Sequence, residues 1–282
     1  MRIRASVAVV TGALALSALA VPAAQADVSA PSAAAKAATV TPFGTAAPAD
    51  DVTEGDIKIK KVTVNGGKNI VVGTTQKKTF TISVTATDPS GIHDGMAMLW
   101  HGPDFEHVDG AIVPETEEGD CTNSSATTAT CKVTVVADPK ANIYGNVLAG
   151  TWKVWVGAIA KDGDLIIREA YKTAKVQRAS KLTVNASPEP VKKGKTITVT
   201  GKLTRANWDT GRYAGYAGQS VKLQYRKKGS DTYTTLKTIK GDSTGYLKTT
   251  TTASADGYYR FSFAGTTTTP AVNATGDFVD VR

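Results

Sequence analysis

Aspartates in turn-like segments are the groups of this chain best suited to bind a metal ion. Asp162 and Asp164 flank Gly163, and a glycine permits a tight turn in which both carboxylates can point to one side. Asp88 and Asp94 bracket a second short segment. Calcium takes roughly six to eight oxygen ligands, several of them carboxylates on adaptable loops. These aspartates are therefore candidate ligands for Ca²⁺.

The pattern leaves open whether these aspartates bind a cation or only shape turns. No segment of the sequence has the EF-hand spacing, Asp-x-Asp-x-Asp-Gly followed by a distal Glu. Aspartate is also common in β-turns, because its side chain accepts hydrogen bonds from the nearby main chain. The acidic run at residues 115–120 is open to the same two interpretations.

An aromatic and basic segment at residues 205–218 is the best candidate for binding a polymer. Aromatic rings stack on sugar faces, and arginine adds bidentate hydrogen bonds to acidic groups. The alternative is a long loop whose Trp208 closes the open end of a sandwich. The residues that would carry binding are Arg205, Trp208, Arg212, Tyr213 and Tyr216.

Positive charge is concentrated in the second half of the chain. Residues 56–176 carry 13 Lys and Arg against 14 Asp and Glu, a net charge of −1, whereas residues 181–282 carry 16 against 7, a net charge of +9. A basic surface attracts polyanions. Outside a cell we expect anionic or saccharide wall polymers as partners, and no nucleic acid. The alternative is that exposed lysines only keep the sheets soluble and their edges unpaired.

Catalytic motifs are missing from the sequence. It contains no Gly-x-Ser-x-Gly elbow, no His-Glu-x-x-His and no glycine-rich phosphate loop followed by Lys. A pair of carboxylates for glycoside hydrolysis has no sequence signature of its own. We predict a protein that is not an enzyme.

The first residues have the features of an export signal. Arg2 and Arg4 precede an apolar run at residues 7–21, and residues 24–26 have the small-x-small pattern of a cleavage site. The apolar run is too short to span a bilayer comfortably. We predict a signal peptide at residues 1–26, no transmembrane anchor in the mature chain, and a secreted, extracellular protein.

Alternation of apolar and polar residues defines the fold class. Residues 79–86 and 196–203 alternate with a period of two and are rich in β-branched side chains, which is typical of half-buried strands. Residues 27–55 are rich in Ala, Pro and Thr and are predicted to be a disordered leader. After it we predict an all-β protein of two immunoglobulin-like β-sandwich domains in tandem, at residues 56–177 and 181–282.

Turn residues separate the predicted strands. In the first domain we predict strands near residues 57–64, 78–87, 95–101, 131–137, 150–160 and 171–177, with a weaker one near 111–114. In the second we predict them near residues 181–185, 195–204, 220–227, 233–239, 245–252, 257–263 and 277–282.

The two cysteines can form a cross-link. Cys121 and Cys131 are the only cysteines in the sequence, and the polar residues between them can turn a hairpin. An even pair in an exported protein indicates a disulfide. We predict this bridge inside the first domain.

Several segments resemble bacterial immunoglobulin-like modules. Residues 84–92 look like the end of a B strand and its loop, and residues 150–156 look like the start of an F strand. Residues 187–282, with landmarks at 218–226 and 256–261, are similar to a C-terminal module of actinomycete secreted proteins. The chain as a whole resembles a family of such proteins that are often labelled calcium-binding. The resemblance implies an exported sandwich fold and Ca²⁺ as a ligand.

Overall fold

The computed structural model describes residues 51–282. The predicted signal peptide at residues 1–26, and the predicted leader as far as residue 50, lie outside the described residues. All the described residues belong to one compact unit. Between residues 51 and 282 the regular structure consists of strands and two short 3-10 turns.

Ten strands build the first sandwich. They are β1 (Val52–Glu54), β2 (Lys58–Val64), β3 (Ile70–Val72), β4 (Lys78–Thr87), β5 (Ile92–His101), β6 (Gly110–Ile112), β7 (Asp120–Asn123), β8 (Thr128–Ala137), β9 (Gly150–Ala160) and β10 (Leu165–Arg178). One sheet has the order β2-β4-β8-β7. The other has the order β6-β5-β9-β10, with β1 and β3 both paired to β10.

Ten further strands build the second sandwich. They are β11 (Ser180–Leu182), β12 (Asn185–Ser187), β13 (Thr196–Asn207), β14 (Arg212–Gly215), β15 (Ser220–Lys227), β16 (Thr234–Lys240), β17 (Tyr246–Thr252), β18 (Gly257–Phe263), β19 (Val272–Asn273) and β20 (Asp277–Val279). β13 pairs with β11, β12, β14 and β17. The facing sheet has the order β16-β15-β18, with β19 and β20 paired to β18.

Both sandwiches have the strand pairing of an immunoglobulin domain, in which strands A, B, E and D form one sheet and C, F and G the other. In the first sandwich β2-β4-β8-β7 corresponds to A-B-E-D, and β5-β9-β10 corresponds to C-F-G. In the second, β13 and β17 pair as B and E, and β15 and β18 pair as C and F. The predicted all-β fold of two tandem immunoglobulin-like sandwiches is confirmed.

Long alternating strands agree best with the sequence-based expectation. The bounds predicted for β4, β9, β15 and β18 are those observed. The prediction was wrong for Val52–Glu54, which was assigned to the disordered leader but pairs antiparallel with Leu165–Ile167 as β1. β3, β7 and β14 were not predicted, because strands of three or four residues are too short to show a period.

Each sandwich has its own buried core. Three tryptophans, Trp100, Trp152 and Trp155, dominate the first, and Tyr259 and Phe261 are the largest fully buried side chains of the second. Burial of these large apolar surfaces is the main favourable contribution to folding, about 25 cal/mol for each Å² removed from water. The first core also takes in a side chain from the second half of the chain, Trp208.

The predicted disulfide is confirmed. Cys121 in β7 lies directly opposite Cys131 in β8, with an S–S distance of 2.01 Å. The intervening residues form the turn of a hairpin, as the polar run between the cysteines predicts.

Candidate functional site

Three aspartates from separate parts of the first sandwich meet at one end of it. Asp56 joins β1 to β2, Asp88 follows β4, and Asp164 lies in the turn between β9 and β10. Each offers a carboxylate oxygen, and these oxygens all lie within 4.8 Å of one another. Asp88 and Asp164 were candidates from the sequence, whereas Asp56 was not.

A glycine makes room for one of these carboxylates. Gly55 has a φ of +78°, and a Cβ added to it would lie 1.6 Å from Oδ2 of Asp164. The same Oδ2 accepts a hydrogen bond from the main-chain N–H of Asp56 over 2.7 Å. Gly55 therefore allows the Asp164 carboxylate to lie against the β1–β2 turn, where any other residue would displace it.

Asp88 is the buried member of the group, with 1% of its surface exposed. Its Oδ1 accepts hydrogen bonds from the main-chain N–H and the hydroxyl of Ser90, over 2.8 and 2.6 Å. Its Oδ2 is buried and has no hydrogen-bond partner among the described residues. Because an uncompensated buried charge costs roughly several kcal/mol, an ionised Asp88 would need a cation or a shared proton at this oxygen.

Asp162 lies in the same β9–β10 turn as Asp164. Its Oδ1 accepts a hydrogen bond from the N–H of Asp164 over 3.2 Å, and its own N–H donates to the Ser90 hydroxyl over 3.3 Å. The two loops that carry Asp88 and Asp164 are therefore tied together through Ser90 and Asp162. The carboxylate of Asp162 is close enough for its charge to act on Asp56.

Negative charge accumulates at this end of the sandwich. The pKa of Asp56 is raised above its usual value of 3.8 by desolvation, then by Asp88, to which a protonated Asp56 carboxyl can donate a hydrogen bond, and by the charges of Asp88, Asp164 and Asp162. None of these aspartates forms an ion pair with a Lys or Arg within residues 51–282. The arrangement can attract a cation, and oxygen is the only ligand type it offers.

Asp94, the remaining sequence candidate, lies elsewhere. Its Oδ1 accepts hydrogen bonds from the N–H groups of Gly95 and Gly119, over 2.7 and 2.9 Å. It is grouped with the sulfurs of Cys121 and Cys131, but both are oxidised in the disulfide and cannot act as thiolate ligands. Burial is the main cause that raises the pKa of Asp94. The structure does not bring Asp94 to the other aspartates.

Trp208 of the predicted binding loop is buried between the two sandwiches. Only 4% of its surface is exposed, and it packs in the core of the first sandwich. Its Nε1 donates a hydrogen bond to the main-chain oxygen of Gly73 over 2.9 Å, and its main-chain N–H donates to Oδ1 of Asn146 over 3.0 Å. The indole is not available to stack on a sugar.

The two tyrosines of that loop contact cations of the second sandwich. The guanidinium of Arg205 lies 3.8 Å from the ring centroid of Tyr216, and the ammonium of Lys181 lies 3.9 Å from that of Tyr213. Tyr213 also packs against the first core. Arg212, in β14, is exposed. The loop joins the sandwiches rather than opening a flat aromatic platform.

No protein-family model matches the sequence, and neither does any curated protein. Among solved structures, the adhesin InvE of Yersinia pseudotuberculosis is 14% identical with a TM-score of 0.26, over 77% of this chain and 58% of that one. The D00–D0 domain of intimin is 15% identical with a TM-score of 0.26, over 78% and 99%. The polymeric Ig receptor ectodomain of a teleost fish is 12% identical with a TM-score of 0.23, over 78% and 98%.

This chain spans 58% of the length of the InvE chain. Its own strand pairing places it in the class of tandem immunoglobulin-like sandwich proteins.

Within residues 51–282, no helix is long and apolar enough to cross a membrane. The Cys121–Cys131 disulfide is typical of proteins that fold in an oxidising, extracytoplasmic compartment.

Proposed function

We propose that the first sandwich binds Ca²⁺ through Asp56, Asp88 and Asp164, with Asp162 as a further ligand. The protein would then be a secreted, non-catalytic module whose sandwich end is held together by the ion. Three or four carboxylates supply part of the roughly six to eight oxygens that calcium takes, and water supplies the rest. Zinc is less suitable, because it favours nitrogen and sulfur ligands, which this cluster lacks.

The observation that carries this proposal is a comparison of two Asp-Pro turns in the same sandwich. Oδ1 of Asp138 accepts a hydrogen bond from the N–H of Lys140 over 2.8 Å, as Oδ1 of Asp88 does from Ser90. Oδ2 of Asp138 pairs with Nζ of Lys77 at 3.2 Å. Oδ2 of Asp88 has no partner among the described residues, and two more carboxylates lie beside Asp88. A bound cation would do at Asp88 what Lys77 does at Asp138.

The chemistry of the cluster also favours a weak site. Asp56 is exposed, so one side of the ion would remain open to water. Calcium sites of extracellular modules have dissociation constants on the order of 10⁻⁴ to 10⁻³ M. Magnesium requires nearly octahedral geometry and gives up its water reluctantly, so it should bind more weakly to this loop-built cluster.

Thermal unfolding tests the proposal. The melting temperature of the protein would be measured in chelator, in excess calcium and in excess magnesium. A ligand that binds only the folded state stabilises it by about 2.7 kcal/mol at a hundred times its dissociation constant. We expect a rise of several degrees with calcium, a smaller one with magnesium, and no rise in the double variant Asp88→Asn/Asp164→Asn.

Asp138→Asn is the matched control, because it alters the equivalent turn without touching the cluster. This variant should melt at a lower temperature than the wild type, since it loses the Lys77 ion pair, but should keep the full calcium response. An unchanged wild-type melt, or a calcium response that survives in the Asp88→Asn/Asp164→Asn variant, would overturn the proposal.

A further inference from the structure

The outer face of the second sandwich carries a row of alternating cationic and aromatic side chains. Arg226 on β15 and its cross-strand neighbour Tyr258 on β18 stack with 4.1 Å between guanidinium carbon and ring centroid. Tyr233 covers Arg260 at 3.7 Å and lies 5.4 Å from Arg226. We call Arg226, Arg260, Tyr233 and Tyr258 the arginine–tyrosine row.

The strand alternation explains why these side chains share one face. Along β18, Tyr259 and Phe261 point into the core, so Tyr258 and Arg260 point outward. Arg226 lies opposite Tyr258 in the β15–β18 register. Tyr233 reaches the face from the turn before β16, and its hydroxyl lies against Gly276.

One more ring and a lysine extend the row at its β20 end, and a further lysine lies on the same face of the sheet. Phe278 on β20 lies opposite Tyr258, with 5.2 Å between ring centroids, and Nζ of Lys228 lies 5.5 Å from the Phe278 ring. On β15, Lys222 faces outward and is exposed. The row therefore crosses the sheet from β20 toward β16.

Both arginines keep charge that acidic side chains do not neutralise. Oε1 of Gln224 accepts a hydrogen bond from Nε of Arg260 over 2.9 Å, and the main-chain oxygen of Ser230 accepts one from Arg226. Neither guanidinium forms an ion pair with a carboxylate in the described part of the chain. The nearby Asp256 is paired with Lys228 at 3.4 Å, and Asp231 acts on Arg226 only through its charge.

Stacking prepares these arginines to bind anions. A guanidinium held over a ring has fewer orientations open to it, and its remaining N–H donors can form a bidentate pair with a carboxylate. Guanidinium groups lie over these rings, which leaves less aromatic surface for the base stacking that binding of single-stranded nucleic acid uses. The net charge of +9 over residues 181–282 adds long-range attraction for a polyanion.

From this geometry we infer that the arginine–tyrosine row binds an acidic polysaccharide, with Arg226 and Arg260 holding uronate carboxylates along a linear chain. The site is on a different sandwich from the aspartate cluster, so it does not depend on calcium binding. It also differs from the loop at residues 205–218, where Trp208 and Tyr213 pack against the first core and Tyr213 and Tyr216 contact cations of the second sandwich.

Calorimetric titration with polygalacturonate tests the inference. The double variant Arg226→Gln/Arg260→Gln should bind at least about tenfold more weakly, because hydrogen bonds to charged groups are lost. Lys192→Gln/Lys193→Gln is the control, since both lysines are exposed and the same two charges are removed. The control should bind almost as well as the wild type, and binding of the wild type should weaken as salt is added.

A third double variant distinguishes the contribution of the planar guanidinium donors to binding from the contribution of positive charge alone. Arg226→Lys/Arg260→Lys keeps both charges but removes the planar donors, so it should bind more weakly than the wild type. Melting temperatures close to that of the wild type would show that all three variants fold. The inference would be overturned by an equal loss in the Lys192/Lys193 control, by full binding of the Arg→Lys variant, or by absence of binding to polygalacturonate. Tighter binding to single-stranded DNA than to polygalacturonate would overturn it in favour of nucleic acid.

Discussion

The indole nitrogen of Trp208 donates a hydrogen bond to the main-chain oxygen of Gly73 over 2.9 Å, and this bond joins the second sandwich to the first. The surrounding contacts support it. The side-chain amide of Asn146 donates to Oδ1 of Asn207 over 2.8 Å, and Nε of Arg178 donates to the main-chain oxygen of Ala206 over 2.6 Å. The end of the β13–β14 hairpin therefore packs against the first sandwich and is hydrogen-bonded to it.

Removing the Trp208 side chain should destabilise the protein strongly. Trp208→Ala leaves a cavity in the first core, and such truncations of buried aromatic residues cost about 3–5 kcal/mol. Trp208→Phe keeps much of the packing but loses the bond to Gly73, so its loss should be smaller. Denaturant unfolding measures both variants. Stability equal to that of the wild type in Trp208→Ala would contradict the buried position of the indole.

Gly55→Ala should abolish the calcium response. Alanine at a φ of +78° is strained by about 1–2 kcal/mol, and its Cβ would displace the Asp164 carboxylate, which lies within 1.6 Å of that position. Gly211→Ala is the control, because Gly211 has a φ of +65° but no atom within 4 Å of an added Cβ. Both variants should melt earlier than the wild type in chelator, and only Gly211→Ala should regain stability with calcium. The same calcium response in both variants would be inconsistent with a role of Gly55 in seating Asp164.

The aspartate cluster should give the calcium-free protein an unusual pH dependence. The pKa of Asp56 is raised, mainly by desolvation and then by its acidic neighbours, so its charged form costs stability at neutral pH. That cost disappears as the pH falls through the raised pKa. Asp56→Asn should therefore raise the melting temperature in chelator at neutral pH, and the gain should shrink toward acid pH. A gain that stays constant with pH would be evidence against this account.

The charge of Asp138 should affect stability in the opposite direction to the charge of Asp56. A hydrogen bond from the N–H of Lys140, followed by the contact with Lys77, lowers the pKa of Asp138 despite its burial. Its charged form therefore contributes stability above the usual aspartate pKa, and this stability is lost as the pH falls through the lowered value. The stability difference between wild type and Asp138→Asn, measured by denaturant unfolding, should be largest at neutral pH. It should decrease in acid, and a difference that grows in acid would contradict the assignment.

Reduction of the disulfide should lower stability by a moderate amount. The bridge closes a segment with a sequence separation of 10, which the chain-entropy model values at about 2.5–3 kcal/mol. Denaturant midpoints with and without reductant should differ for the wild type. The variant Cys121→Ala/Cys131→Ala serves as the control and should not respond to reductant; a response there would show that the reductant acts elsewhere.

The position of a strand could be predicted where apolar and polar residues alternate over many consecutive positions. Lys78–Thr87 alternates over its whole length, because one face lies on the core and the other is polar, and it was predicted with its observed bounds. Ile70–Val72 pairs in parallel with the far end of β10. That pairing depends on how the chain returns after about a hundred residues, so no local pattern could indicate it.

The aspartate cluster could be predicted only in part for the same reason. Asp88 and Asp164 are conspicuous in their turns, but Asp56 joins them through a contact between residues 108 positions apart. Its local signal, a Gly-Asp pair before a strand, is common in turns. For Trp208 the sequence left two interpretations open, ligand binding and closing the end of a sandwich, because an aromatic residue in a glycine-rich loop has the same sequence signature whether it faces solvent or a neighbouring sandwich.

The short connection between the sandwiches has a consequence for how the protein can be divided. The N–H of Ala179 donates to the oxygen of Val72 over 2.9 Å, and the oxygen of Ala179 accepts from the N–H of Ala206 over 2.7 Å. The connecting residue is thus built into both halves, and the first core is incomplete without Trp208. We expect the described part of the chain to unfold in one cooperative transition, and a fragment that ends near residue 177 to be much less stable than the same residues in the whole protein.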